Sequence, residues 1–178
     1  MTLTELMVVV VILGLLAAMA RPLFRRDRVA RDGREFASVL ARTFQRARFQ
    51  AVAERLPIRA FVFADRVELR SAVPAADPND PPVPADLGAP ITRLVTAKPD
   101  VTVWDVKTAV GAPTQLLSTA TSKTIEWNSV GQARVVGVPS NLIVVYIRNA
   151  GDGVAVGDRD FRIDVSPLTG SVSLTELW

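Results

Sequence analysis

Residues 6–20 read LMVVVVILGLLAAMA, and Glu5 is the one charge among the first twenty residues. Wound as a helix, twenty residues rise about 30 Å, one hydrocarbon thickness. A segment that long and that apolar cannot be packed inside a small soluble domain, so the fold has to leave it outside the core. Its flanks argue against a cleavable secretory signal: nothing basic precedes it, whereas Arg21-Pro22 and then Arg25, Arg26 and Arg28 follow it. The pattern predicts an anchor that is retained.

Glu5 is the residue of greatest interest. An ionisable side chain within a membrane span costs about 2.5–3.5 kcal/mol on insertion scales, so it persists near an interface or with a partner. Two readings follow. The carboxylate reaches back to the headgroups from its place near the end, or it pairs with a positive charge from another subunit, the natural candidate being a free α-amino group.

With the anchor and the helical stalk that follows it set aside, about 120 residues remain, enough for one head domain. The chain has no Cys and no His, which removes disulfides, thiolate nucleophiles, imidazole bases and the usual zinc ligands. Charge is divided unevenly. Residues 1–59 carry a net +6, from 11 Arg against Glu5, Asp27, Asp32, Glu35 and Glu54; residues 60–178 carry −3. A basic stalk on a faintly acidic head suits anionic neighbours along the stalk: headgroups, acidic heads or nucleic acid.

Past Pro22 the helical period continues, with Phe36, Val39, Leu40, Phe44, Ala47 and Ala51 on one stripe and Arg31, Arg34, Ser38, Arg42 and Gln45 opposite. Pro57 marks the stop, giving a helix about 80 Å long with a bend or break near Pro22. Phe49 points away from the stripe, to be covered by a head loop or by a neighbouring subunit. Beyond Pro57 the period becomes two. Strands are expected at 58–63, 66–71, 91–96, 101–107, 124–127, 134–138, 142–147, 161–165 and 172–177, with a hairpin around Ala64-Asp65. The six prolines between Pro74 and Pro90 predict a loop there. The expected class is α+β: residues 1–24 a membrane-spanning segment, 25–56 an amphipathic helix, and 57–178 an antiparallel β-rich head packed on it.

The run T-L-T-E-L-M-V-V-V-V-I-L-G-L-L-A-A-M-A-R-P resembles the mature N-terminus of type IV pilins and type II secretion pseudopilins, with Glu5, Gly14 and Pro22 at the family's positions and Met1 where Phe is usual. The resemblance implies that a prepilin peptidase removes a short basic leader and methylates the new terminal amine, here that of Met1. Glu5 would then neutralise the amine of an adjacent subunit during assembly, and Gly14 and Pro22 would mark helix breaks. The segments R-E-F-A-S-V-L-A-R-T-F-Q-R-A-R-F-Q-A-V-A-E-R-L-P-I-R, I-E-W-N-S-V-G-Q-A and F-R-I-D-V-S-P-L-T-G-S-V-S-L are similar to the H-type minor pseudopilins and their type IV pilus counterparts. This resemblance implies a structural filament subunit, not an enzyme. Its location would be the inner membrane with the head in the periplasm, and its partners other subunits, the assembly platform, the peptidase and membrane lipid. The implied role is in the type II secretion pseudopilus, serving protein export; the alternative is a type IV pilus subunit for adhesion, motility or DNA uptake.

Other chemistry finds little support. No triad can be built without His, and no phosphate-cradling glycine pattern occurs. Asp152, Asp158 and Asp160 lie in a glycine-rich stretch and are the candidates for a calcium ion, but the alternating spacing of an EF-hand is missing, so no metal and no cofactor are expected. With the arginines concentrated on the helix and no aromatic platform interleaved with them, no nucleic acid partner is expected for the head.

Overall fold

The computed structural model describes residues 2–72, 87–91, 94–111, 117–149 and 160–177, with the backbone alone described for 18–30, 72 and 87–90. A single helix, α1 (Leu3–Glu54, 52 residues), precedes ten strands. They are β1 (Ile58–Val62), β2 (Arg66–Ala72), β3 (Leu87–Pro90), β4 (Val95–Thr96), β5 (Val101–Lys107), β6 (Lys123–Trp127), β7 (Ala133–Val135), β8 (Ile143–Asn149), β9 (Phe161–Val165) and β10 (Val172–Glu176). All pairings are antiparallel, in two sheets. The first runs β3-β2-β1-β6-β7, with β4 also on β2; the second runs β10-β9-β8-β5.

The helix is not broken at Gly14 or Pro22, as the sequence had suggested. A proline deletes one donor, and the turns on either side keep theirs, so a long helix carries through it. At the far end α1 stops one turn before Pro57. Arg55 takes a left-handed conformation (φ 55°), the geometry that turns a chain out of a helix.

The second half of α1 lays its stripe across the inner faces of both sheets. Phe36, Leu40, Phe44, Ala47 and Ala51 are buried, while Val39 sits at the flank, half-buried. Phe44 meets Trp127 of β6 with ring centroids 5.4 Å apart. From β1 come Ile58, Ala60 and Val62; from β8 and β9 come Ile143, Val145, Ile147, Phe161, Ile163 and Val165, all at or near zero exposure, the alternation expected of sheets buried on one face.

The expected loop at 74–90 ends early, because Leu87–Pro90 form β3 on the far side of β2. Proline is tolerated at the end of such a strand, where its missing N–H has no ladder partner to serve, and the register shifts between Arg70 and Ala72. As a result the strand foreseen at 91–96 shrinks to β4. Likewise the run foreseen at 134–138 ends at Val135, where Gly137 (φ 81°) turns the chain so that Val138 bridges back to Val135.

Candidate assembly surfaces

The first surface is the free half of α1. From Leu3 to Leu16 its large apolar side chains are 46–80 % exposed, and among the described side chains of α1 the first that is buried is Gly33. Among the described residues no helix is long and apolar enough to cross a membrane. The expected span at 6–20 runs on into 18–30, whose side chains are outside the description, as are Met1 and the ring of Pro22. A Cβ on Gly14 would meet nothing within 4 Å, so that glycine faces open space.

Glu5 caps its own helix. The Thr2 N–H donates to Glu5 Oε2 (2.8 Å), and the Glu5 N–H donates to Thr2 Oγ1 (3.4 Å), a reciprocal capping box. Two donors that α1 cannot satisfy internally are thereby met, and the carboxylate lies against the positive end of the helix dipole. The signal was present in the sequence as Thr-x-x-Glu before an apolar run. Neither of the two readings of Glu5 had included it.

The second surface is the neck where α1 enters the head. Gly33 is buried so closely against β8 that a Cβ built there would lie 2.0 Å from Asn149 Oδ1. On one flank Lys98 Nζ bonds Asp32 (2.6 Å) and Glu35 (2.8 Å); on the other, Arg34 Nη2 bonds Glu176 (2.6 Å). The hydrogen bonds to Asp32 and then Glu35 raise the Lys98 pKa. Periodicity had placed Arg34 on a plain solvent face and assigned nothing to Gly33.

Further along the helix Phe49 is 66 % exposed, with the Arg48 guanidinium 5.8 Å from its ring centroid. No described head loop covers it. Val52, Val130 and Leu168 are also exposed, the last two within two residues of Gly131 and Gly170, whose turns pack against Arg48.

Charged clusters in the head are structural in their geometry. Glu126 is buried between Arg59 (Nε to Oε2, 2.6 Å) and Arg134 (Nη2 to Oε1, 2.6 Å), on neighbouring strands. On β2, burial raises the pKa of Glu68, but hydrogen bonds from Arg70 and Arg66 outweigh it and leave the carboxyl below its ordinary range. A cavity of about 510 Å³ opens between the ends of the sheets, lined by Val106, Lys107, Val110, Lys123, Val135 and Val138 among others. Its Lys123 is engaged by the buried Asp105 (3.3 Å) and the Val106 carbonyl, which stitches the two sheets together. Among the described residues no group of three Asp or Glu is placed to hold a metal ion. Asp160 is buried ahead of β9; Asp152 and Asp158 lie outside the described residues.

No protein-family model and no curated protein matches the sequence. Solved structures do. The type IV minor pilin FimU of Pseudomonas aeruginosa aligns over 80 % of this chain and 91 % of its own, with 16 % identity and a TM-score of 0.50. EpsH, a minor pseudopilin of the type 2 secretion system of Vibrio cholerae, aligns over 82 % and 97 %, with 13 % identity and a TM-score of 0.50. The chain has the fold of these minor pilins and pseudopilins. That fold, a long helix packed on an antiparallel β-rich head, is the architecture that the pattern of helix and strands had predicted.

Proposed function

We propose that the chain is a structural subunit of a type IV filament, most like an H-type minor pseudopilin of a type II secretion pseudopilus. Residues 1–24 cross the inner membrane, 25–56 join the span to the head, and 57–178 form a periplasmic head. Met1 supplies the methylated terminal amine after a prepilin peptidase has acted. The observation that carries the reading is Glu5 at the start of an exposed apolar helix that continues unbroken into the head. A carboxylate capping its own helix keeps one oxygen free to accept a neighbour's amine, and the apolar sides of the helix are free to pack on lipid or on other subunits.

A type IV pilus subunit is the second reading, favoured by the likeness to FimU, which scores as high as EpsH. Affinity capture of the tagged full chain from its own membranes separates them. Other pseudopilins with a secretin support the first, pilus subunits with a retraction ATPase support the second, and a platform or subunit from neither system would overturn both.

A further inference from the structure

The side of α1 turned away from the head carries a second periodic pattern. Val39, Arg42, Arg46, Phe49 and Ala53 recur at intervals of three and four, the spacing of a seam along which one helix packs on another. Arg42, Arg46, Phe49 and Ala53 are exposed and Val39 is half-buried, whereas the stripe on the opposite side is filled by the two sheets.

The seam holds a socket. A groove of about 240 Å³ is lined by Val39, Arg42, Thr43 and Arg46. These are positions i, i+3, i+4 and i+7, a set of four neighbours that forms the hole for a side-chain knob of a facing helix. A hole of that shape on a seam of that repeat fits a helix as its occupant, since a strand offers its side chains at a period of two.

Charge decides which helix. Between Glu35 and Glu54 the chain has three arginines and no acid. Arg42 donates to the Ser38 carbonyl (3.2 Å) and to the Ser38 hydroxyl (3.1 Å), both uncharged, so its positive charge is not offset. Among the described residues nothing bonds Arg46, and the two guanidiniums repel each other across one helical turn. The socket is therefore doubly positive over a floor of valine and threonine, which suits a carboxylate on a short aliphatic stem. Lipid headgroups do not reach it, because Arg42 lies 22 residues beyond Ala20, about 33 Å along the helix. A second copy fits it poorly. Anchored in the same membrane it lies parallel, and in register it sets Arg42 and Arg46 against themselves. Slid by two turns, it offers only a Glu35 that Lys98 already holds (2.8 Å).

Resting on the filament reading, we propose that this outward seam docks an acidic helix of a different filament subunit, with a carboxylate seated between Arg42 and Arg46. The same two arginines turn away a second copy of this chain, so the contact selects a partner as well as holding it. The test is photo-crosslinking in assembled filaments, with benzoylphenylalanine in place of Phe49, which keeps an aromatic ring on the seam, and a control at position 10 in the apolar helix. The expected result is an adduct from position 49 to a helical stretch of another subunit that contains Asp or Glu. Arg42→Glu combined with Arg46→Glu, both exposed, should lower that yield about tenfold and leave the position-10 adducts at the parental level. Arg42→Lys combined with Arg46→Lys should retain most of it. No adduct from position 49, an adduct to a second copy, to lipid or to a strand, or a yield indifferent to the charge reversal would overturn the proposal; adducts from position 10 to other subunits would leave the filament reading standing. Adducts from neither position would overturn both.

Discussion

Replacing Gly33 by alanine sets two effects of known sign against each other. Helix propensity alone predicts stabilisation by about 1 kcal/mol, since glycine is the poorest ordinary residue in a helix interior. The packing predicts the opposite. The new Cβ would lie 2.0 Å from Asn149 Oδ1 and 2.7 Å from its Cγ, where ordinary contact begins at 3.4 Å. Asn149 is 4 % exposed on β8, so its amide cannot swing into solvent. The whole side chain, or the helix, has to move by more than 1 Å. Overpacking of this kind costs about 1–3 kcal/mol, and an approach of 2.0 Å by a buried side chain belongs at the upper end of that range. With the propensity gain subtracted, Gly33→Ala should destabilise the protein by about 2 kcal/mol. Denaturant melts of the full chain in detergent measure this directly. Asn149→Ala in the same chain should recover most of the loss, giving a coupling of more than about 1 kcal/mol in the double-mutant cycle. A Gly33→Ala variant more stable than the parent would refute the close approach.

Glu126→Gln should cost about 3–5 kcal/mol, because it leaves the buried Arg59 without its counter-charge; replacing both by Met should cost far less, as equilibrium melts would show. Lys98 has a folded-state pKa raised above its ordinary 10.5, so its contribution is full below about pH 10.5 and is lost as pH rises through the raised value; Lys98→Met should remove that alkaline step from a stability–pH profile. Phe49→Ala should leave the unfolding free energy within about 0.5 kcal/mol of the parent, as befits a side chain 66 % exposed, while filament incorporation falls.

Much of this architecture was legible because periodicity is a burial code. The stripe of α1 and the hairpin β1–β2 around Ala64-Asp65 follow from apolar residues recurring every 3.6 or two positions. What escaped depended on contacts distant in sequence. Nothing local distinguishes Gly33 from any helix-weakening glycine until β8 brings Asn149 against it. Arg34 looks like one more solvated arginine until β10 delivers Glu176, 142 residues later. The strand at Leu87–Pro90 hid behind proline's reputation as a loop residue, since its role depends on an edge position that only the pairing with β2 creates. The Thr2–Glu5 cap is the opposite case, a local signal masked by the more unusual question of why a carboxylate stands in an apolar run.

The central claim is that Glu5 serves assembly and not insertion. Glu5→Val makes the first twenty residues more apolar and removes the acceptor for a neighbouring amine, at the loss of one capping bond. Expressed beside the other subunits of its filament, the Val variant should reach parental levels in the membrane fraction, and its recovery in sheared, purified filaments should fall at least tenfold, on the order of 1.4 kcal/mol or more. Incorporation of Glu5→Val at the parental level would contradict the account and reduce Glu5 to a helix cap.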